Sequence, residues 1–396
     1  MSGRVSTFFA VLLGLSVTVA LAACAGPPPG SSPDSGVGGT GAHVHPSEPP
    51  SQPLRDGERF VDLALPQPYT PRPPRGGTDE YRCFLLDPAI TEPVFVTGSQ
   101  FLPQNEAIVH HAIVFRVDPE DADAAQAAAG PAGWTCFGGA GFGRGVAGLG
   151  GGGSWIAAWA PGTGESLLTE GTGYELDPGS LLILQIHYSL LGVDGEPGPD
   201  QSGIRLRVVD GTADVAPLRT ALLPAPVELP CTPEESGELC DRDAAIRDVA
   251  RRFGTASGLA PHALSMFCTG SEQPKPGPTQ SCEIPVRRAG TVYAVAGHMH
   301  LLGRSITVEL NPGTDRAQIL LDIPVYNFDD QRARELPEPV EVRPGDMYRV
   351  TCTHDASLRA RLPLLQDLPP RYVVWGDGTS DEMCLGIVVW SPAEPR

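Results

Sequence analysis

Short apolar segments rich in β-branched and aromatic residues recur along this chain, and turn-forming residues separate them. The 47 glycines and 42 prolines interrupt helices and favour tight turns between short strands. This pattern predicts an all-β fold of antiparallel sandwiches, with helices at Pro119–Ala129 and Asp241–Phe253. The strand candidates are Pro93–Thr97, Ala107–Val117, Leu181–Tyr188, Ile204–Val209, Val292–Ala296, Ser305–Leu310, Met347–Cys352 and Cys384–Trp390.

The N-terminal segment has the features of an export signal. Arg4 precedes an apolar run over residues 8–23, which is short for a membrane span. Leu21-Ala22-Ala23-Cys24 resembles a bacterial lipobox, which implies cleavage before Cys24 and lipidation of Cys24. An ordinary signal peptide is the alternative. The small residue after Cys24 favours anchoring in the outer rather than the inner membrane of the cell envelope. Residues 24–58, rich in Pro, Gly and Ser, predict a disordered tether.

Charge and cysteine content narrow the class further. The net charge of −19 and the lack of a basic run argue against nucleic-acid binding. Lipidation of Cys24 leaves an even number of cysteines in an exported chain, which indicates disulfides. No C-x-x-C pair is present, so zinc or iron–sulfur ligation is disfavoured.

The length of 396 residues suits two domains of ordinary size. We place them at residues 59–212 and 213–396, with the boundary near Thr212–Leu218, after the strand candidate Ile204–Val209. The glycine-rich segment 138–153 contains a G-x-G spelling but no following helix and no Lys-Ser/Thr. It therefore predicts a mobile surface loop rather than a phosphate cradle.

Histidine is scarce, with nine residues, so its placement is informative. His298 and His300 stand two apart, just beyond the strand candidate Val292–Ala296. If the strand continues through them, residues two apart face the same side, and the two imidazoles can bind one metal ion. Two solvated histidines are the alternative. His110 and His111 are adjacent and would face opposite sides, so both reach one ion only if the backbone is distorted, as at a bulge. His187 alone is typical of a buried core histidine.

Met383 begins a strand candidate, where methionine usually fills a core, but a thioether is also a soft ligand that favours Cu(I). Three imidazoles at one site and two imidazoles with a thioether at another would make two unlike copper sites. The spacing does not fix this grouping. His43 and His45 lie in the predicted tether, which presets no geometry. His262 and His354 lie in loop-like contexts and are interpreted as structural or solvated.

Several motifs in order along the chain resemble the copper type II, ascorbate-dependent monooxygenases, the family of peptidylglycine α-hydroxylating monooxygenase and dopamine β-hydroxylase. The resemblance runs from about residue 80 to 390. The motifs are Val109-His110-His111, Ala157–Gly162, Leu184-Gln185-Ile186-His187-Tyr188, Asp200–Leu206, His298–Arg304, Pro344–Asp346 continuing to Cys352-Thr353, and Asp381-Glu382-Met383-Cys384.

The resemblance implies two tandem jelly-roll-like domains with two copper ions facing a shared cleft. His110, His111 and His187 would bind the electron-transfer copper. His298, His300 and Met383 would bind the catalytic copper, which meets O2 and substrate. The family pattern also implies disulfides Cys83–Cys136 and Cys352–Cys384. The pairing of the other cysteines stays open, and the local pairs Cys231–Cys240 and Cys268–Cys282 are a conjecture.

Three positions depart from the peptide-amidating branch. That branch has Arg where this chain has Ala296, and it has Asn and Tyr where this chain has Leu385 and Ile387. The groups that would anchor a peptide carboxylate are therefore missing, which favours a neutral or hydrophobic substrate.

The resulting hypothesis is a monomeric, lipid-anchored monooxygenase that hydroxylates a C–H bond of a small-molecule substrate with O2 and a reductant such as ascorbate. One alternative is a non-catalytic copper-binding surface lipoprotein. Another is a disulfide-rich sandwich that serves in adhesion or carbohydrate binding and holds no copper.

Overall fold

The computed structural model describes residues 50–74, 77–137, 139–140, 154–161, 163–271 and 274–393. Residues 1–49, with Cys24, His43 and His45, lie outside the described part of the chain. So does the glycine-rich segment 138–153, apart from Gly139 and Ala140. No helix in these described ranges is both long enough and apolar enough to cross a bilayer.

The strands of the first half form two antiparallel sheets around one core. Among the described residues, one sheet has the order β5-β2-β9-β4-β6 and the other has the order β1-β10-β3-β8-β11, with β7 beside β3 and one parallel pair, β8 with β11. The strands are β1 (Arg59–Ala64), β2 (Asp79–Leu86), β3 (Val94–Leu102), β4 (Val109–Val117), β5 (Trp134–Thr135), β6 (Ser154–Trp159), β7 (Ser166–Leu167), β8 (Thr172–Leu176), β9 (Leu181–Ser189), β10 (Gly203–Asp210) and β11 (Ala216–Pro217).

The central strand β9 shows how the sandwich core forms. Leu184 and Ile186 pack between the two sheets, together with residues of β3 and β10. The alternate residue Ile183 packs on the opposite face, against a separate cluster beside the Cys83–Cys136 disulfide. Because side chains alternate along a strand, Gln185 and His187 share this second face. Both are buried there.

The strands of the second half, within the described residues, form two four-stranded sheets and a short pair. The sheet orders are β12-β21-β15-β18, β14-β19-β16-β17 and β13-β20. Val295, Ile306, Val350 and Val388 contribute to their common core. The strands are β12 (Arg219–Pro224), β13 (Glu228–Leu229), β14 (Thr279–Pro285), β15 (Gly290–His298), β16 (Gly303–Leu310), β17 (Gln318–Ile323), β18 (Arg334–Val342), β19 (Met347–His354), β20 (Val373–Val374) and β21 (Leu385–Pro392).

These sheets confirm the all-β, sandwich-like fold. Each predicted strand overlaps an observed one, namely β3, β4, β9, β10, β15, β16, β19 or β21. Sheet membership changes between β11 and β12, slightly after the predicted boundary at residues 212 and 213. The division into two domains stays a prediction.

Helices are few in the described residues: α1 (Ala122–Ala128), α2 (Arg242–Phe253), α3 (Thr255–Thr269) and α4 (Pro363–Gln366). α1 and α2 confirm the two predicted helices, and the Asp241 carboxylate caps α2 by accepting from the backbone N–H of Ala244.

Sequence reasoning missed α3 because the helix contains Pro261 and Gly258, which normally argue against a helix. Gly258 packs against Ala250 of α2, where a larger side chain would clash.

The prediction that His262 and His354 lie in loop-like contexts is wrong. His262 lies within α3, and His354 is the buried last residue of β19.

The described residues form four disulfides, which confirm the two pairs implied by the family resemblance, Cys83–Cys136 and Cys352–Cys384. The conjectured local pairs Cys231–Cys240 and Cys268–Cys282 are also confirmed. Cys268–Cys282 joins the end of α3 to β14. Cys352–Cys384 links β19 to the start of β21, immediately after Met383.

Candidate metal centre

The first cluster of candidate ligands lies where β4 begins and β9 ends. His110, His111 and His187 each place a ring nitrogen within 4.8 Å of the others. The Nδ1 atoms of His110 and His187 are 3.1 Å apart. A trio of imidazole nitrogens at this spacing is a donor set that suits copper, zinc, iron or nickel.

A register shift brings the two adjacent histidines together. On β4, Val109 pairs with Tyr188 of β9 and His111 pairs with His187, so His110 is the extra residue of a bulge. The bulge breaks the strict alternation of side chains, which is the backbone distortion that the sequence required of this pair.

Asp79 and Tyr81, on the neighbouring strand β2, hold the ring of His187. The Asp79 carboxylate lies 2.9 Å from His187 Nε2, and the Tyr81 ring stacks on the imidazole with centroids 4.1 Å apart. Burial alone would raise the pKa of Asp79, but hydrogen bonds from His187, Thr379 and Thr78 hold that pKa below its usual value. An ionised carboxylate only accepts, so His187 donates through Nε2 and keeps its Nδ1 lone pair for a metal.

The ring of His111 also has a polar contact at Nε2, but this contact is longer than that of His187. The Tyr81 hydroxyl donates to the backbone oxygen of Asp377 at 2.7 Å and lies 3.4 Å from His111 Nε2. Burial, and then the neighbouring histidines His187 and His110, lower the pKa of His111 well below its usual value. Burial also lowers the pKa of His187, although Asp79 opposes this effect. Neutral imidazoles are the form that binds metal.

The second cluster lies where β15 ends and β21 begins. His298 is the last residue of β15 and pairs in register with Leu385 of β21, which places Met383 just beyond this pair. The rings of His298 and His300 have centroids 5.2 Å apart and are nearly perpendicular. The Met383 side chain and His298 both line the same cavity. The two histidines and the thioether are thus gathered at one edge of this sheet.

The Glu382 carboxylate organises this edge. It accepts hydrogen bonds from the backbone N–H groups of His300 at 2.9 Å, Leu302 at 2.6 Å and Met383 at 3.2 Å. His354 Nε2 lies 3.3 Å from the same carboxylate. Burial would raise the pKa of Glu382, but the contacts with His354 and His300 lower it overall. One buried anion therefore fixes the two segments that carry His300 and Met383.

The ring orientations of the second pair are set through Nδ1. His298 Nδ1 lies 2.6 Å from Gln331 Oε1, and His300 Nδ1 lies 3.1 Å from the backbone oxygen of Asp381. Both partners are acceptors, so Nδ1 carries the proton and Nε2 is left as the donor atom for a metal. Burial, and then His300, lower the pKa of His298 to about 4.

Helix α2 supports the loop that carries Asp381. Arg252 donates to Asp381 Oδ1 at 2.7 Å and to Asp248 Oδ2 at 2.8 Å. Arg371 contacts the same two carboxylates at 3.2 and 3.1 Å. This ion-pair network holds the backbone oxygen that orients His300.

The two clusters adjoin each other. The rings of His111 and His298 have centroids 6.0 Å apart. The hydroxyl of Thr379, from the loop before Met383, donates to Asp79 Oδ1 at 2.6 Å. Asp79 and Tyr81 thus connect the first cluster with the loop that also carries the second.

Sequence reasoning gathered the six candidate ligands but missed the residues that orient them. Asp79, Tyr81 and Gln331 belong to no motif and are brought in by non-local contacts. Glu382 lies within the Asp381–Cys384 motif, directly before the candidate ligand Met383. This position of an acidic residue was the sequence signal that could have indicated a supporting role.

Comparison with known proteins finds a family match within the second half of the chain. Residues 278–395 match the model of the C-terminal domain of copper type II ascorbate-dependent monooxygenases. This segment is therefore a domain of this monooxygenase family. The match contains His298, His300 and Met383, whereas the first cluster lies outside it.

A human relative, DBH-like monooxygenase protein 2, is 32% identical over 102 residues, which is 26% of this chain. The chain spans only 18% of that protein's length. Among solved structures, an allantoicase from Saccharomyces cerevisiae is 12% identical, with 86% of this chain and 84% of that chain covered and a TM-score of 0.19. A striped-bass fucolectin is 8% identical, with 80% and 84% covered and a TM-score of 0.16. Likenesses this low carry no argument.

Proposed function

We propose that this protein is a copper-dependent monooxygenase that hydroxylates a C–H bond of an organic substrate with O2 and a reductant such as ascorbate. The observation that carries the proposal is the arrangement of two unlike donor sets beside one cavity. His111 lines this cavity from the first set, and His298 and Met383 line it from the second. The family membership of residues 278–395 supports the same reaction class.

The donor chemistry fits copper. Imidazole nitrogen suits copper in both oxidation states, and the Met383 thioether favours Cu(I). His110, His111 and His187 would hold one ion, and His298, His300 and Met383 would hold the other. Copper in these sites would supply the electrons and the O2 activation that hydroxylation of a C–H bond requires.

The residues of the chain then have separate tasks. Asp79 and Gln331 hold protons on the outer ring nitrogens of His187 and His298, so that the inner nitrogens stay unprotonated. Glu382 fixes the backbone on both sides of the second set. The apolar wall of the cavity limits water around the reacting C–H bond. No acidic or basic side chain is required as a proton carrier in this scheme.

The proposal also covers the division of the chain into two domains and the N-terminal segment that precedes them. Residues 59–212 and 213–396 are two copper-binding domains in tandem. Cys24 anchors a monomer to the cell envelope through its lipid, with the outer membrane favoured. A non-catalytic copper carrier is the second candidate, but the cavity between the donor sets favours an enzyme.

The test combines copper quantitation with ascorbate-driven O2 uptake and product detection. We expect two copper ions per chain in the wild type. Met383→Ile should abolish hydroxylation while the first histidine trio still binds copper, because the thioether is lost at the second set alone. Met347→Ile is the matched control, since Met347 is the first residue of β19 and is not among the described residues that line the cavity.

Undiminished hydroxylation by Met383→Ile would contradict the assignment of His298, His300 and Met383 as the catalytic copper site. Purified protein that stays free of metal in excess copper would contradict the whole proposal. Two bound copper ions without reductant-dependent O2 uptake would favour the copper carrier.

A further inference from the structure

A cavity of about 200 Å³ lies between the two candidate donor sets. His111 and Tyr81 line it on one side, and His298 and Met383 line it on the other. The wall between these residues is largely apolar and includes Trp155, Trp159, Leu222, Leu385, Ile387 and Val389. Both halves of the chain thus contribute to one partly open cavity beside the candidate ligands.

Several polar groups of this wall are already hydrogen-bonded within the protein. The Tyr174 hydroxyl contacts Thr220 Oγ1 at 2.7 Å, and the Thr220 hydroxyl donates to the backbone oxygen of Trp155 at 3.0 Å. The amide nitrogen of Gln185 donates to the backbone oxygens of Cys136 and Gly139, both at 2.8 Å. These groups are therefore not free to replace the water that a charged ligand would lose.

The charged groups at the wall are also engaged. Arg332 pairs with Asp330 at 2.6 Å, and its side chain is 67% exposed at the outer end of the cavity. The Asp377 carboxyl accepts from Ser257 Oγ at 3.1 Å. Burial raises the pKa of Asp377 to about 6, despite that hydrogen bond. Arg332 and Asp377 thus each already have a polar partner in the described structure.

The size of the cavity limits the ligand. An apolar cavity of about 150 Å³ in another protein binds benzene, so this space suits one or two small rings or a short branched chain. The cavity adjoins an outer pocket of about 380 Å³, with which it shares Thr163, Ser166 and Ala333. A ligand can therefore enter past Ala333 and extend into this outer pocket.

We infer that the substrate is an uncharged, largely apolar molecule whose reacting end, about one or two rings in size, fills the cavity beside His298 and Met383. The reaction at this end rests on the proposed function, whereas the preference in binding does not. The free energy of removing a carboxylate or an ammonium group from water would exceed the stabilisation that this apolar wall can offer.

The test measures binding without turnover, by calorimetry on the copper-loaded chain in the absence of reductant. The probes are propylbenzene and 2-phenylethylamine, which differ by a methyl or an ammonium group, and isobutylbenzene and phenylacetate, which differ by an isopropyl or a carboxylate group. We expect each hydrocarbon to bind at least about tenfold more tightly than its charged partner. Equal or tighter binding of phenylacetate overturns the inference, and the same result with 2-phenylethylamine points to Asp377 as an anchor for a cation and also overturns it.

Cavity-filling variants locate the binding site. Ala296→Phe places a ring beside His298 and should weaken hydrocarbon binding at least about tenfold. Ala317→Phe adds the same ring at an exposed position away from the cavity and should leave binding unchanged. If Ala296→Phe fails to fold, Ala333→Phe narrows the exposed outer end and should weaken binding in the same direction. Unchanged affinity in the folded cavity variants overturns the inference.

The outcomes for binding and for catalysis are separable. Hydrocarbon binding without reductant-dependent hydroxylation contradicts the proposed function and leaves the binding preference intact. Hydroxylation with a preference for a charged probe contradicts the inferred substrate class and leaves the proposed function intact.

Discussion

The two candidate donor sets differ in what holds them. His110, His111 and His187 lie on paired strands, and the register of β4 and β9 fixes their backbones. His298, His300 and Met383 lie at strand ends and in loops, where the buried Glu382 carboxylate fixes the backbone instead. In the proposed function, a donor set whose backbone is fixed by strand pairing suits electron transfer. A set at strand ends beside a cavity suits contact with O2 and substrate.

The two sets nevertheless share one support. The loop from Gly376 to Met383 contacts Tyr81 and Asp79 through Asp377 and Thr379, and it then carries Asp381, Glu382 and Met383. Mutations in sheet-borne supports should therefore affect mainly the first set, and mutations in Glu382 mainly the second. Mutations in Thr379, which joins the shared loop to Asp79, should affect both sets.

Glu382→Gln is expected to have the largest effect. The amide keeps one acceptor oxygen, but its NH2 group would face at least one of the three backbone N–H groups that now donate to a carboxylate oxygen. The loss of the charge and this donor–donor contact should cost about 3–5 kcal/mol in the free energy of unfolding. Copper content should fall from two ions to one per chain, because the second set loses its backbone support. Chemical denaturation and copper quantitation measure these effects.

Glu283→Gln is the control for that variant, because Glu283 pairs with Arg349 on an exposed surface. It should leave stability within about 0.5 kcal/mol of the wild type. A Glu382→Gln protein with wild-type stability and two copper ions would contradict the role given to this carboxylate.

Asp79→Asn is expected to act mainly on the first set. The amide removes the charge that holds His187 and should cost about 2–3 kcal/mol in the free energy of unfolding. Loss of such a partner weakens metal affinity by about 10–100-fold, so copper should leave the first set before the second during competition with a chelator. Asp62→Asn, which alters an exposed pair with Arg205, is the matched control. Simultaneous loss of both ions would contradict the separation of the two sets.

The depressed pKa of His298 predicts a pH dependence of stability. In the unfolded chain this imidazole titrates near its ordinary value of 6.5, whereas in the folded metal-free chain its pKa is about 4. Between these values the unfolded state binds more protons, so the free energy of unfolding should fall as pH decreases from about 6.5 to about 4. Thermal melts of the metal-free protein should show this decline, and His298→Gln should make it shallower. An identical slope in the variant would contradict the burial of His298.

The sequence predicts the candidate ligands better than it predicts their supports. The strands, the need for a distorted backbone at His110 and His111, and the His298-x-His300 pair follow from local patterns. Asp79 and Thr379, by contrast, are 300 residues apart and meet only through the packing of the two halves. α3 was missed because Gly258 and Pro261 oppose helix formation locally, and packing on α2 compensates. Local rules could not reveal either feature.

Thr379→Val is expected to give the smallest effect, but it tests the connection between the sets most directly. The variant keeps the shape of the side chain and removes the hydroxyl that donates to Asp79 Oδ1 at 2.6 Å. Because Asp79 is buried, losing this donor should cost about 1–2 kcal/mol in the free energy of unfolding. Thr279→Val, which removes an exposed hydroxyl paired with Thr353, should cost clearly less. If the shared loop couples the sets, Thr379→Val should weaken copper binding modestly at both of them. An effect confined to the first set would show that Asp79 supports His187 alone, and the two clusters would then be neighbours without a common mechanical link.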